Sequence, residues 1–502
     1  MDAFNIAFRI PNLFRDMLAE GALGNAFTKL FSEYSETDRN HAVRFFQQAM
    51  TVVFLLLSSL VALGMIYSED FVRLMTLSSG ESYNEVRVQA ISLTRILFPY
   101  LGLASMTAIL AGTLYQKGSF FKSAITPIVG NLGYILGALI LGTVFADLDI
   151  RLWFGPSELD PRILGLAVGV MMGCIGQLML TLWFAKELIL KALTQVSGLF
   201  QGLSSMKRLA VLSLPMMIAS SVGPLSGLIN TNFASQVGPG AVSWLAYAFR
   251  LFQLPVGLFG VAVGIVALPA LTRAITRAKG NVDRTVIAEL EKGLGIVFFC
   301  MLMSFSFVLV YHHQIIELIF QRGAFTEFDT ISTGAALLTY SFGLFGYGFI
   351  KVLTSFYYAT ERTGYAVKVS FIGVTNTLVV CYFLVDVMGH IGLALASSAT
   401  LTLNSSLLLL GNRSYFSLAD WAAIRRTTLI LLGFSGLAIG LLFVLDEILM
   451  ALPIFDSRSL DLVIRLSIGL GVCMLIFGLS LTKIYRIKIN QIPNFLRQSF
   501  SK

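Results

Sequence analysis

Apolar residues in this chain run in blocks of about membrane length, and charge is concentrated in the short segments between them. The blocks fall at 1–28, 46–67, 90–115, 124–145, 163–184, 207–235, 241–271, 293–311, 333–358, 366–386, 391–411, 427–449 and 463–483. Each reaches or approaches the roughly 20 residues that carry a helix across a bilayer. In hydrocarbon the helix is the natural spanning element, because it satisfies its own backbone hydrogen bonds. The pattern predicts an all-α polytopic membrane protein with about thirteen transmembrane helices. No connection is long enough for a separate soluble domain, so the chemistry must happen in or beside the membrane.

Composition agrees. Of 502 residues, 56% are hydrophobic and 13% charged, with a mean hydropathy of +0.79, far from the soluble balance. If the first block runs from outside to inside, the inner loops and the block ends adjoining them collect 24 of the 36 basic residues and only 9 of the 28 acidic ones. That asymmetry is the positive-inside signature, and it places the C-terminal end in the cytoplasm. It also disposes of the formal charge of +8 as a nucleic-acid signal. The basic residues are scattered over many short loops, where they meet anionic lipid headgroups.

No constellation points to an enzyme, a cofactor or a metal. Cys174, Cys300, Cys381 and Cys473 each stand alone in an apolar block, as small core residues do. His41, His312, His313 and His390 fall in loops or at block edges, without ligand spacing beyond the adjacent pair at 312–313. No glycine-rich phosphate loop with a lysine is present, so ATP hydrolysis is not expected.

Two features remain. Arg9 and Arg15 interrupt the first apolar block, and the tripeptide Ala-Phe-Arg at 7–9 recurs at 248–250, inside another. An arginine near the bilayer centre costs about 2.5–3.5 kcal/mol even on insertion scales, so it faces water or a partner. Residues 102–131 also resemble 343–376, at a nearly constant offset. The chain therefore reads as two related halves in parallel orientation, an arrangement that builds binding sites between repeats. The second copy of Ala-Phe-Arg is preceded by a further apolar block, 207–235, which the first copy lacks. A first helix is therefore expected to be missing.

The stretches DAFNIAFRIPNLFRDMLAEGALGNAF at 2–27, TRILFPYLGLASM at 94–106, NTNFAS at 230–235, SWLAYAFRLFQLPVGLFGVAVGIVALP at 243–269 and GLALASS at 392–398 resemble the MurJ (MviN) family of lipid II flippases. That family belongs to the multidrug/oligosaccharidyl-lipid/polysaccharide exporter superfamily. The resemblance implies two six-helix lobes around a central cavity plus a C-terminal helix pair, with boundaries near 1–200, 201–415 and 416–502. It implies alternating access and, as substrate, the undecaprenyl-pyrophosphate-linked peptidoglycan precursor in the bacterial inner membrane. Membrane lipids are implied as further partners, with a monomer working beside cell-wall synthesis proteins. Arg15 and Arg250 match cavity arginines of the family, and Asp2 and Glu20 match acidic positions of its second helix. Pro11 and Asn12 are expected to break the helix between Arg9 and Arg15.

The physical fit is direct, since a guanidinium fork holds phosphate oxygens in pairs. The candidate substrate-binding set is Arg15, Arg250, Arg9, Glu20, Asp2, Gln253 and Lys351. Each has a plainer reading beside it. Arg9 can snorkel to the outer interface, Arg15 can pair with Asp16 or Glu20, and Lys351 can pair with a carboxylate across its lobe. Arg95 and Arg465, near block ends, read as snorkelling residues.

The chain also departs from the family pattern. The serine and arginine motif of the family's first helix has no counterpart here. Phe249 and Gln253 stand where many members carry acids, and Asn230, Asn376, Val380 and Ser397 stand where some members bind sodium through carboxylates. No tight sodium site is expected. Two other functions stay open on sequence grounds: export of a different polyprenyl-linked glycan or amphiphile, and a transport-inactive membrane scaffold.

Overall fold

The computed structural model describes residues 1–16, 23–77, 80, 83–116, 120–148, 160–194, 203–279, 281–415, 418–451 and 457–485. Every regular element among them is helical. They form two compact units, Met1–Val242 and Ser243–Lys502.

The first unit contains α1 (Asp2–Arg15), α2 (Gly24–Thr37), α3 (Arg39–Ile66), α4 (Ser68–Met75), α5 (Asn84–Leu97), α6 (Pro99–Gln116) and α7 (Phe120–Leu136). A π-helical stretch, Gly137–Leu141, joins α7 to α8 (Gly142–Leu148), and α9 (Pro161–Thr194) and α10 (Leu203–Val237) follow. The second unit is built from α11 (Ala241–Pro255), a π-helical stretch Val256–Val261, α12 (Ala262–Arg277), α13 (Arg284–Phe320), α14 (Glu327–Ser341) and α15 (Leu344–Ala359). It ends with α16 (Thr363–Leu410), α17 (Leu418–Ala451) and α18 (Arg458–Tyr485).

Among the described residues nine helices are long and apolar enough to cross a membrane, or ten if the pair α14 and α15, bent by 42°, counts as one span. The difference from thirteen has identifiable sources. The blocks 366–386 and 391–411 are both contained in α16, where Gly389 breaks the helical geometry at φ 56° and ψ −135°. Only glycine takes such a backbone readily. The blocks 1–28 and 207–235 are not among the nine. Large apolar side chains face outward, with Leu55 at 60%, Leu139 at 68% and Val444 at 57% exposure. In water such a surface would aggregate, whereas in lipid it is the expected face.

The expected break at Pro11 and Asn12 does not occur. The helix α1 runs from Asp2 to Arg15 with Pro11 inside it. Proline deletes one N–H donor, and the rest of the α1 ladder carries the helix through that single loss.

Glycines set the tightest packing. Gly133, Gly137 and Gly142 face Gly173, Gly169 and Gly165 of α9, backbone against backbone. A Cβ added at Gly137 would stand 2.5 Å from Gly169 Cα. Both strips follow a spacing of about four residues, one face of a helix, which is the small-residue pattern that lets membrane helices approach closely.

The internal repeat appears as a shared local design within each unit. In the first, Phe8 packs on Tyr100 with ring centroids 5.1 Å apart. In the second, Phe249 packs on Tyr340 at 5.5 Å. Both tyrosines lie beside the junction of two consecutive helices, α5 with α6 in one case and the bent pair α14 and α15 in the other. A polar tie holds the opening of each unit's repeat helix. Asp2 Oδ2 accepts from the Tyr83 hydroxyl at 3.0 Å and from the Gly240 N–H at 2.6 Å, whereas Trp244 Nε1 donates to Asp329 Oδ1 at 2.7 Å. Carboxylate and donor have exchanged sides between the copies. Asp329 also completes a capping box with Thr326 at the start of α14, satisfying donors a helix terminus leaves open.

Two outcomes follow. Gly169→Val forces the α7 and α9 backbones apart and costs about 1–3 kcal/mol, the usual penalty of overpacking. In thermal unfolding of the purified protein its midpoint falls clearly below wild type, while Gly223→Ala, whose added Cβ meets open space, does not lower it. Asp2→Ala strands the buried Tyr83 hydroxyl and the Gly240 N–H and costs about 1–3 kcal/mol. The same melting assay reads that loss, and an unchanged midpoint would contradict the tie.

Candidate functional site

The candidate residues of the first unit lie on α1. Arg9 and Arg15 are six residues apart, roughly 600° of helical turn, so they leave the helix in different directions. Arg9 packs its guanidinium onto Gly227 of α10, where any larger residue would collide with it. Arg15 turns toward α6. Its Nη2 pairs with Asp16 Oδ1 at 2.9 Å, its Nη1 donates to the Tyr100 hydroxyl, and its guanidinium carbon stands 5.6 Å from the Tyr100 ring centroid. With a side-chain exposure of 23%, Arg15 is held by local partners.

Asp2 is 5% exposed and is committed to the tie with Tyr83 and Gly240. The Tyr83 phenol, just ahead of α5, is pushed well above its ordinary range, first by burial and then by the neighbouring Asp2 carboxylate. Glu20 lies outside the described residues.

The second unit presents a different environment. Arg250 sits on α11 and is exposed. Its guanidinium carbon stands 5.7 Å from the centroid of the Tyr247 ring, a cation–π contact. Among the described residues no carboxylate lies within ion-pair distance of it. Gln253, three residues on and therefore on the same helical face, is also exposed. Phe252 packs inward against Tyr340 and Tyr347, fixing which way the helix faces. Lys351 on α15 is half-buried, with Nζ 5.1 Å from the centroid of the Tyr347 ring. Its backbone lies against Gly264 of α12, and the Ser355 hydroxyl donates to the Gly264 carbonyl at 3.1 Å. Here too a glycine permits the approach.

Within each unit, then, the structure separates Arg9 from Arg15 and places Arg250 beside Gln253. Sequence reasoning missed one further group. Arg465, expected to snorkel, is 4% exposed and pairs with Asp461 at 2.7 Å. Asp446 is 7% exposed on the neighbouring α17. The signal was available in the sequence, since Asp461 and Arg465 are four residues apart, the separation at which opposite charges meet on a helix.

Comparison with known proteins places this geometry. The profile of the lipid II flippase MurJ family matches residues 1–457. Over 414 residues the chain is 31% identical to the lipid II flippase MurJ of Burkholderia cenocepacia, covering 82% of this chain and 77% of that protein. A solved structure of lipid II flippase MurJ in an inward closed conformation superposes with a TM-score of 0.73 at 22% identity, over 96% of this chain and 93% of the other. An inward-facing multidrug resistance transporter of the MATE family, in the MOP superfamily, superposes at 0.65 and 14% identity, over 85% and 91%. The two structural matches establish the shared all-helical transporter fold, and the profile match over most of the sequence establishes that this chain belongs to the MurJ family of lipid II flippases, multi-pass membrane transporters rather than enzymes.

Proposed function

We propose that the chain moves lipid II from the cytoplasmic to the outer leaflet of the bacterial inner membrane, with Arg250 as the principal contact for the pyrophosphate. The reading is supported by one observation above all. Arg250 is exposed on a helix of an apolar segment, has a tyrosine ring beside it and has no described carboxylate within ion-pair distance. A guanidinium so placed seeks an anion, and pyrophosphate offers paired oxygens for its fork. Gln253 adds an amide one turn away, and Lys351 supplies a point charge on α15. Arg15, neutralised in part by Asp16 and Tyr100, ties α1 to α6. Arg9 and Asp2 hold α1 in place.

Transport proceeds by alternating access, without ATP hydrolysis by this chain. The membrane potential assists it, because with the inside negative each negative charge carried outward releases about 2.3 kcal/mol per 100 mV. The basic C-terminal residues Lys483, Arg486, Lys488, Arg497 and Lys502 support a cytoplasmic C-terminus.

Complementation tests this directly. In cells depleted of their own flippase the wild-type chain sustains growth, whereas Arg250→Ala, present in the membrane at equal level, does not. Loss of a charge-assisted contact of about 1.5–3 kcal/mol lowers apparent affinity for lipid II by about 10- to 100-fold, measured with reconstituted protein. Arg250→Lys keeps the charge but not the fork and gives intermediate growth. Full growth with Arg250→Ala would refute the assigned role, and failure of the well-expressed wild type to sustain growth would refute the transport reading.

A further inference from the structure

Where α13, α17 and α18 pack together, an apolar cluster that includes Leu302, Val310, Leu442, Ile476 and Phe477 surrounds a small polar set that the transport reading does not use. From α13, Tyr311 is fully buried, and its hydroxyl lies over Gly469 of α18, where a Cβ would come within 2.7 Å of it. Gln314, one turn further along α13, donates through Nε2 to Asp446 Oδ2 of α17 at 3.0 Å. From α18, Arg465 gives Nη2 to Asp461 Oδ2 at 2.7 Å. Asp461, Arg465 and Gly469 follow one another at four-residue intervals, so they share one face of the helix.

What distinguishes this set is what is left over. Among the described residues the Tyr311 hydroxyl, Asp446 Oδ1, and Arg465 Nε and Nη1 are buried atoms without a hydrogen-bond partner. Tyr311, Asp446 and Arg465 are each more than nine-tenths buried, and Asp446 and Arg465 both act electrostatically on Tyr311. Orphaned donors and acceptors from three helices around one place are the usual lining of an internal water, which needs two to four polar partners. Such a water accepts from the arginine and donates to Asp446 Oδ1.

The charges point further. Asp446, Asp461 and Arg465 together carry a net negative charge when all are ionised, in a setting where an uncompensated buried charge is expensive. The remaining charged neighbours do not cancel it. Glu447 follows Asp446 on α17, and Arg458 at the start of α18 is engaged with Glu317 of α13 at 2.8 Å. Cys473 on α18 is buried.

We infer that Tyr311, Asp446 and Arg465 enclose a water-holding proton-binding site, with Asp446 as the proton acceptor. The proton arrives through the water, forms an O–H bond at Asp446 Oδ1 and leaves by the same route. Tyr311 and Arg465 keep their own protons throughout, and Gln314 remains bonded to Oδ2. Uptake of one proton brings the three charged groups to electrical neutrality. The inference is independent of which lipid the protein carries.

Infrared difference spectra of the full chain reconstituted in lipid, recorded across a pH series, test it. Wild type shows a protonated-carboxyl carbonyl band that appears and disappears with pH. Asp446→Asn, which retains an acceptor for Gln314, abolishes that band, while Glu317→Gln keeps it. Arg465→Lys keeps the pair with Asp461 but loses the fork donors, and moves the pH of the transition by about one unit or more, the scale of a single altered charge contact. A wild-type spectrum without a pH-dependent carboxyl band overturns the inference, as does a band unaffected by Asp446→Asn.

Discussion

A charge in hydrocarbon has to be answered by an opposite charge, by water or by a ligand. Arg15 is met by Asp16 and Tyr100. Arg465 is met by Asp461 inside the C-terminal helix cluster. Arg250 stands exposed over Tyr247. Leaving a guanidinium unanswered costs about 2.5–3.5 kcal/mol even on the lenient scale. Two of these arginines are answered from within the chain, and Arg250 has no described carboxylate within ion-pair distance.

The apolar scaffold that presents these charges depends on close approach of backbones. Facing glycines of α7, its π-helical continuation, α8 and α9 bring main chains into direct contact, and Gly264 does the same for α12 beneath Lys351. Lipid gives helices no hydrophobic reason to associate, so tight van der Waals contact takes that role. The same closeness leaves little room for a side chain, which is why Arg9 needs Gly227 opposite it.

Duplication organises both units. Each unit packs a phenylalanine of its repeat helix on a tyrosine beside a helix junction, Phe8 on Tyr100 and Phe249 on Tyr340. Around that conserved contact the chemistry has diverged. Asp2 accepts from Tyr83 in one copy, while Asp329 accepts from Trp244 in the other. The phenylalanine neighbour is an arginine in both copies, yet Arg9 is part-buried against α10 and Arg250 is exposed. A shared fold has therefore given the same tripeptide two environments.

The membrane class, the position of most apolar blocks, the helical class and the family were legible in the residues, because hydrophobic length and local motifs are properties of contiguous sequence. Even the break at Gly389 falls between two of the predicted blocks. Partnership was not legible. Tyr100 lies 85 residues from Arg15, Gln314 lies 132 residues from Asp446, and Tyr83 lies 81 residues from Asp2, so no window of sequence contains both members of these pairs. Pro11 suggested a broken helix and Arg465 a snorkelling side chain, whereas α1 runs on through Pro11 and Arg465 is buried in a pair with Asp461. The sequence by itself determined that the chain lives in lipid and carries cations there; only the tertiary structure decided which of those cations the protein neutralises itself, because that depends on distances between helices that the order of residues does not encode.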